Sequence, residues 1–169
     1  MEMKSHFINF ANYNRWANQT LYSSVAELTE TELNQDVHGF FTSIFNTLNH
    51  ILVGDLLWMN RLDEKGPKPA RLDTILASNF DELVKMRTEA DERLISIANA
   101  QNEEILSSFL DYVTTGGIAC HDRVSEIMTH IFNHQTHHRG QCHHMLSQLG
   151  KEPPSLDMIY FIRERDNPR

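Results

Sequence analysis

Cysteine is scarce in this sequence, with two residues, Cys120 and Cys142, in a chain of 169. Their separation does not match the C-x-x-C spacing of redox and zinc motifs, and two cysteines cannot build a disulfide framework. We therefore expect reduced thiols in the core or in a pocket, where either could serve as a soft metal ligand. A chain of this length buries a sizeable core without disulfides, so residues 1–169 are predicted to form one domain.

Long hydrophobic runs are also absent. The longest apolar stretches, such as residues 51–53 and 56–59, are much shorter than the roughly 18 residues that a membrane-spanning helix requires. Residues 1–6 do not combine a positively charged start with an apolar stretch. We therefore expect no secretory signal, no membrane partner and a cytoplasmic location.

Positive charge is in deficit, since 15 Lys and Arg against 23 Asp and Glu give a formal net charge of −8. The basic residues are scattered rather than gathered into a stripe, so the electrostatic pattern of a nucleic-acid-binding protein is missing. DNA and RNA are therefore not expected as partners. Apolar residues make up 40% of the chain and charged residues 22%, which is typical of a folded globular protein.

Glycine and proline are few, seven and five residues, and most of them fall between segments with helical periodicity. Apolar residues recur at three- and four-residue steps in four long segments, which predicts four amphipathic helices. These cover about residues 5–28, 42–65, 79–100 and 122–149. The predicted N-caps and stops are Thr42 or Ser43, Asp122, residues 66–69 and Gly150. The pattern predicts an all-α four-helix bundle.

Shorter segments complete the predicted secondary structure. Residues 29–32 have the capping-box pattern that opens a short turn of helix. In residues 105–120 a run of β-favouring residues precedes Gly116 and Gly117, which predicts a short extended excursion or hairpin before the last long helix. Residues 155–162 are apolar enough for a final short helix.

Histidines are concentrated in residues 130–138 of the fourth predicted helix. Two imidazoles four residues apart lie on one helical face and can bind one metal ion. Both His134 with His138 and His130 with His134 satisfy this spacing, so spacing alone leaves two pairings open. His134 and His138 continue the apolar stripe of the helix, and buried imidazoles need partners, which favours a ligand role. Three further histidines of this helix are predicted to lie on its surface: His137, His143 and His144.

A metal ion needs at least a third protein ligand, and His50 is the histidine within the second predicted helix. If that helix faces the fourth, three imidazoles leave one coordination position open, as in catalytic sites. We interpret Gly54, one turn after His50, as leaving room for water or substrate beside the imidazole, and a packing glycine at a helix crossing explains the position nearly as well. His130 is either an auxiliary ligand or, in the interpretation we prefer, a group that hydrogen-bonds a ligand or a bound water.

Two familiar metalloenzyme patterns do not fit the chain. The metalloprotease motif H-E-x-x-H has a glutamate beside its first histidine, where this chain has Gln135, which cannot accept a proton. Di-iron bundles use repeated Glu-x-x-His units, whereas Glu126 precedes His130 by four residues and no second copy follows. A mononuclear site is therefore predicted, and imidazole suits zinc, nickel, iron or manganese without selecting among them.

Four segments share a pattern with one known family. They are residues 133–141 (Asn-His-Gln-Thr-His-His-Arg-Gly-Gln), His50 within Leu-Asn-His-Ile-Leu, residues 13–18 (Tyr-Asn-Arg-Trp-Ala-Asn) and residues 153–157 (Pro-Pro-Ser-Leu-Asp). Over nearly its whole length the chain thereby resembles the DinB family, which is distinct from the DNA polymerase of similar name. The resemblance implies a DinB/YfiT-like bundle that binds a divalent metal, zinc or nickel, through His50, His134 and His138.

The resemblance also implies that Arg139, Gly140 and Gln141 act through packing or hydrogen bonds behind the ligands. Some relatives are thiol-dependent transferases or isomerases that use bacillithiol, mycothiol or glutathione, and the resemblance suggests a homodimer. The leading hypothesis is a divalent-metal-dependent enzyme, in its most concrete form a thiol S-transferase that acts on a small electrophile. The alternative is a non-catalytic metal-binding bundle for stress response or interaction, motivated by the missing general base beside His134.

Overall fold

The computed structural model describes residues 2–167. In chain order it contains α1 (Met3–Val25), α2 (Glu30–Asn34), α3 (Ile44–Asp63), α4 (Phe80–Ala100), α5 (Glu103–Ser107), β1 (Phe109–Val113), β2 (Ala119–Arg123), α6 (Val124–Gln148) and α7 (Met158–Asp166). The predicted class, a helical bundle with a short extended segment before the last long helix, is confirmed. None of the helices within residues 2–167 is both long enough and apolar enough to cross a membrane.

The four long helices, α1, α3, α4 and α6, pack their apolar faces into one core. Both α1 and α3 pack against α4 and α6, so α1 lies diagonally opposite α3. Core side chains that are at most 1% exposed include Leu21, Leu52, Met59, Leu94 and Met128. The three- and four-residue periodicity of the sequence directs these side chains inward. Because α3 and α6 are neighbours, the histidines of the two helices can meet.

Polar side chains cap the start of three helices, and the sequence predicted the first two of these caps. Thr29 and Glu32 form the capping box of α2, and Ser43 accepts a hydrogen bond from a backbone N–H at the start of α3. Asn79 caps α4 in the same way. At the other end of α6, Gly150 adopts a positive φ of 72°, which is favourable for glycine and ends the helix.

Other boundaries differ from the prediction. Asp122 does not cap α6, because it lies in β2, where its carboxylate accepts a hydrogen bond from the Tyr112 hydroxyl at 2.6 Å. The first helix ends at Val25 rather than near residue 28, since a turn precedes the capping box of α2. The last helix is also shifted and begins at Met158, because the carbonyl of Leu156 accepts a hydrogen bond from the Tyr13 hydroxyl at 2.8 Å and lies outside the helix.

The residues between α4 and α6 form a short helix and an antiparallel hairpin. Tyr112 pairs with Cys120 in the hairpin, and Gly117 adopts a φ of 83° in the turn. The predicted extended excursion is therefore a hairpin, although its strands extend to Arg123 rather than ending at residue 120. The prediction missed α5, which Asn102 caps, because five residues are too few to show a helical period.

Seven buried polar side chains connect the four long helices at the centre of the bundle. Each is at most 3% exposed: Asn14 and Asn18 of α1, Asp55 of α3, Arg87 and Asp91 of α4, and Gln135 and Arg139 of α6. We call this set the buried polar ring. Polar groups at this depth are stable only when hydrogen bonds replace their contacts with water.

Arg87 forms ion pairs with both carboxylates of the buried polar ring. Its Nη1 donates to Asp55 Oδ2 at 2.5 Å, and its Nη2 lies 3.0 Å from Asp91 Oδ1. Burial raises the pKa of Asp55 to about 6 and Arg87 opposes that rise, so the carboxyl is ionised at neutral pH. With Arg139 as the second cation, two carboxylates and two guanidiniums balance, which reduces the penalty for burying charge.

Hydrogen bonds close the circuit between the helices. Asn18 Nδ2 donates to Asp91 Oδ1 at 2.9 Å, and Arg139 Nη1 donates to Asn18 Oδ1 at 3.2 Å. The same Nη1 donates to Gln135 Oε1 at 3.0 Å, and Gln135 Nε2 donates to Asp55 Oδ2. Every long helix therefore contributes at least one link to the ring.

Removal of one member should leave a charged partner buried and unpaired. We expect Asp55→Ala to lower the free energy of unfolding by about 3–5 kcal/mol, because Arg87 would lose a buried counter-ion. Urea denaturation followed by circular dichroism measures the loss. Arg15→Ala is the control, since Arg15 forms an exposed ion pair with Glu92 of α4 and should shift the midpoint little. Equal midpoints for the two variants would contradict the importance of the ring.

Candidate metal centre

Three histidines meet between two adjacent helices. His50 lies on α3, and His134 and His138 lie one turn apart on α6. Each offers one ring nitrogen, and these nitrogens all lie within 4.8 Å of one another. His50 and His138 are each 8% exposed, and His134 is partly buried. The structure therefore places the three imidazoles close enough to bind one metal ion.

Hydrogen bonds orient two of the three rings. His50 Nδ1 lies 3.1 Å from the carbonyl oxygen of Leu72, and His138 Nδ1 lies 2.7 Å from Gln141 Oε1. Both oxygens are acceptors, so each Nδ1 carries the proton and donates it. The two Nε2 atoms consequently present lone pairs, which is the tautomer that second hydrogen bonds impose on metal-binding histidines.

The separation of the ring nitrogens matches the size of a coordinated ion. Nε2 of His50 lies 3.2 Å from Nε2 of His134. Two nitrogens bound to tetrahedral zinc at about 2.0–2.1 Å are separated by roughly 3.3 Å. The residues present therefore fit a single ion between α3 and α6.

Burial favours the neutral form of the three imidazoles. Together with the neighbouring His138 and His50, it lowers the pKa of His134 to about 3. Burial also lowers the pKa of His50 and of His138, while their hydrogen bonds to Leu72 and Gln141 oppose the change. Neutral imidazole is the form that binds metal, so no proton has to leave the site before an ion enters.

Gly54 does not leave the open space for water or substrate that the sequence allowed. A Cβ at this position would lie 2.8 Å from Cε1 of His134 and 3.3 Å from its Nδ1. The structure supports the second interpretation, in which Gly54 allows close packing where α3 crosses α6. The missing side chain lets the His134 ring lie against α3 and approach His50.

Gln141 and Arg139, both expected to support the ligands, take different positions. Gln141 bonds His138 directly, and its Nε2 lies 3.2 Å from Nε2 of His137. Arg139 belongs to the buried polar ring, where it donates to Asn14 and other ring members rather than to a ligand histidine. The expected hydrogen bonds from Arg139 to the ligands are therefore not seen among the described residues.

His130 lies at the edge of the site. It is exposed, and its ring centroid is 5.1 Å from that of Trp58 and 5.8 Å from that of His134. Within residues 2–167 it makes no hydrogen bond to the three clustered histidines, so its action through a bound water stays a prediction. Of the histidines expected on the surface, His137 and His144 are exposed and His143 is partly exposed.

The three histidines open onto a cavity of about 620 Å³. Phe41, from the connection before α3, stacks on His50 with ring centroids 4.0 Å apart and meets His138 edge-on at 5.5 Å. Other parts of the wall come from Trp58 and Arg61 of α3, Leu72 of the α3–α4 connection, and Tyr112, Thr114 and Thr115 of the hairpin. Sequence reasoning missed the residues from the connections and the hairpin, because no spacing rule connects loop positions to a distant helix.

Fold and site together define a class of protein: a four-helix bundle with three neutral imidazoles between adjacent helices, spaced for one divalent metal ion. The arrangement of one histidine on α3 and two on α6 is the one that the resemblance in the sequence implied. The chain belongs to the DinB family, which it matches over residues 1–167.

Individual proteins show the same similarity. Protein DinB from Bacillus subtilis (strain 168) is 29% identical to this chain over 156 residues, which cover 89% of this chain and 90% of that protein. The crystal structure of a DinB-like protein from Bacillus cereus ATCC 10987 is similar with a TM-score of 0.60 at 15% identity, covering 82% of this chain and 89% of that one. The first similarity extends along both sequences, and the second shows a shared fold.

Gly54→Ala tests whether close packing on α3 positions His134. We expect metal affinity to fall about 10- to 100-fold, because the new methyl group would displace the imidazole. Stability should be maintained, since alanine is favoured over glycine in a helix by roughly 1 kcal/mol. Calorimetric titration of untagged, metal-free protein with zinc and with nickel measures the affinity.

Gly140→Ala is the matched control for this substitution. Gly140 lies on α6 close to the ligands, and a Cβ there meets no heavy atom within 4 Å. Metal affinity should therefore equal that of the unmodified protein. If Gly54→Ala bound metal as tightly as Gly140→Ala, the contact between Gly54 and His134 would have no part in building the site.

Proposed function

We propose that this protein is a divalent-metal-dependent enzyme in which His50, His134 and His138 bind one zinc or nickel ion. The observation that carries the proposal is the group of three ring nitrogens within 4.8 Å of one another at the wall of a cavity. Three protein ligands leave a coordination position for water or substrate, as in catalytic zinc sites. Family resemblance supports a small-molecule thiol as partner and a homodimer as the assembly.

The reaction we propose is transfer of a small-molecule thiol to an electrophile. A bound divalent ion would favour thiolate over thiol at neutral pH. Sulfur forms a bond to an electrophilic carbon, the leaving group departs with its bonding electrons, and the thiol proton passes to solvent. Leu72 and Gln141 keep two imidazoles oriented, while Phe41 covers His50 and limits the access of water.

The buried polar ring supports a catalytic rather than a structural metal. Asp55 of α3 and Gln135 of α6 already hydrogen-bond each other beside the histidine cluster. This contact, with the rest of the ring, joins the two helices without an ion. A metal at the cluster is therefore not needed to hold α3 against α6 and is available for chemistry.

A non-catalytic metal-binding bundle is the second candidate. Among residues 2–167, the wall of the cavity includes no Asp or Glu. Gln135, next to His134 in the chain, is buried and directed toward Asp55. The usual carboxylate base of metal hydrolases is thus missing from the site, which favours either thiol chemistry, where the nucleophile needs no such base, or no chemistry.

Loss of a ligand histidine should remove both metal and activity. We expect His50→Ala and His134→Ala to bind zinc or nickel at least about 100-fold more weakly and to lose thiol transfer to chloro- or epoxide-type electrophiles. His144→Ala is the control, since this exposed histidine lies on the same helix. Elemental analysis and product formation measure the two effects, and thiol transfer that survived both ligand substitutions would overturn the enzyme proposal.

Metal removal separates the two candidate functions. We expect chelation to leave the helical circular dichroism unchanged, because the polar ring and the core hold the bundle together. The melting temperature should fall only by the amount that corresponds to the lost free energy of metal binding. Thermal melts with and without chelator measure this. Unfolding on chelation, without any response of the metal spectrum to thiols, would favour the structural role instead.

A further inference from the structure

A positively charged side chain lies in the wall of the same cavity as the histidine cluster. The guanidinium carbon of Arg61 lies 4.4 Å from the centroid of the Trp58 ring and 4.5 Å from that of Tyr112. These two rings meet edge to face, with centroids 5.3 Å apart. Arg61 is therefore held by one ring from its own helix and one from the hairpin.

The aromatic contacts leave most hydrogen-bond donors of Arg61 available. Contacts with aromatic rings are not hydrogen bonds to an oxygen acceptor, so they do not use up the five N–H donors of a guanidinium. Nη2 donates to the backbone carbonyl of Val113 at 3.3 Å, and within residues 2–167 no carboxylate lies in ion-pair range of Arg61. Other arginines contact carboxylates directly: Arg15, Arg71, Arg87, Arg93 and Arg165.

The cavity wall contains an arginine and no acidic residue, although the protein as a whole is acidic. The chain carries 23 acidic residues and a formal net charge of −8. In the described part of the chain, however, the cavity wall combines the charged Arg61 with neutral imidazoles and includes no Asp or Glu. A divalent ion at the histidines would add positive charge. Such a cavity attracts a small anion and disfavours a cation.

We propose that Arg61 binds the carboxylate of a small anionic substrate whose reacting end lies at His50, His134 and His138. The inference rests on the proposed function, because the metal places the reacting end. A guanidinium binds a carboxylate through two parallel hydrogen bonds, and the ring contacts hold the Arg61 group in position for them. The carboxylate belongs either to the thiol or to the electrophile.

The fluorescence of Trp58 can be used to measure ligand binding near Arg61. The chain has two tryptophans, so the Trp16→Phe background leaves Trp58 as the single fluorophore of this type. Zinc-loaded protein is titrated with linear ω-mercaptocarboxylates of three to six carbons and with the matching neutral amides, and calorimetry gives independent affinities. Carboxylates of the same lengths without a thiol complete the set of probes.

We expect Arg61→Met to weaken binding of the mercaptocarboxylates about tenfold or more, because charge-assisted hydrogen bonds are lost, and to leave amide binding unchanged. Methionine keeps an apolar chain over the two rings. Arg61→Lys keeps a cation and should retain part of the preference for acid over amide. The acid-to-amide ratio is measured within each variant, so it does not depend on how stable that variant is.

The outcomes separate the proposed role of Arg61 from the proposed metal-dependent function. Equal weakening of acid and amide by Arg61→Met, or no weakening of either, would overturn the role of Arg61 while leaving the metal site intact. His134→Ala should weaken acid and amide alike, and its failure to do so would overturn the proposed function instead. Arg61-dependent binding of carboxylates without a thiol assigns the acid group to the electrophile, whereas dependence confined to mercaptocarboxylates assigns it to the thiol.

Discussion

A closed circuit of buried ion pairs and hydrogen bonds is the constraint on which the arrangement of the four long helices depends. Its two carboxylates and two guanidiniums are stable in the core only while all their partners are present. The circuit thereby links all four long helices within the core. The link between Asp55 and Gln135 has a direct effect on the site, because Gln135 follows His134 in the chain and Asp55 lies on the helix of His50.

The candidate site divides its parts between helices and connections. The long helices supply the three imidazoles and the packing glycine, which need fixed positions to within a fraction of an ångström. Phe41, Leu72 and Tyr112 come from connections and a hairpin, and they determine what the cavity admits. Substitutions in these connections can therefore alter the cavity wall without changing the histidine cluster.

Helical periodicity and local chemistry allowed much of this fold to be predicted from the sequence. The four long helices, the capping box at Thr29 and the stop at Gly150 follow from interactions between residues close in the chain. Asp122 shows the limit of such reasoning, because a good N-cap residue lies instead in a strand that enters α6 directly. Gly54 shows the same limit. The sequence left open whether this glycine provides free space or close packing, and the position of His134 across the interface between α3 and α6 decides for close packing.

The sequence by itself determined the bundle class and the histidine candidates, because apolar periodicity and a four-residue spacing are properties of one segment at a time. The choice among overlapping pairs came from the family resemblance, and spacing left it open. Only the tertiary structure decided that Arg139 belongs to a buried circuit, that Phe41 covers His50 and that Arg61 shares the cavity. These relations join residues far apart in the chain, and they exist only after the helices have packed.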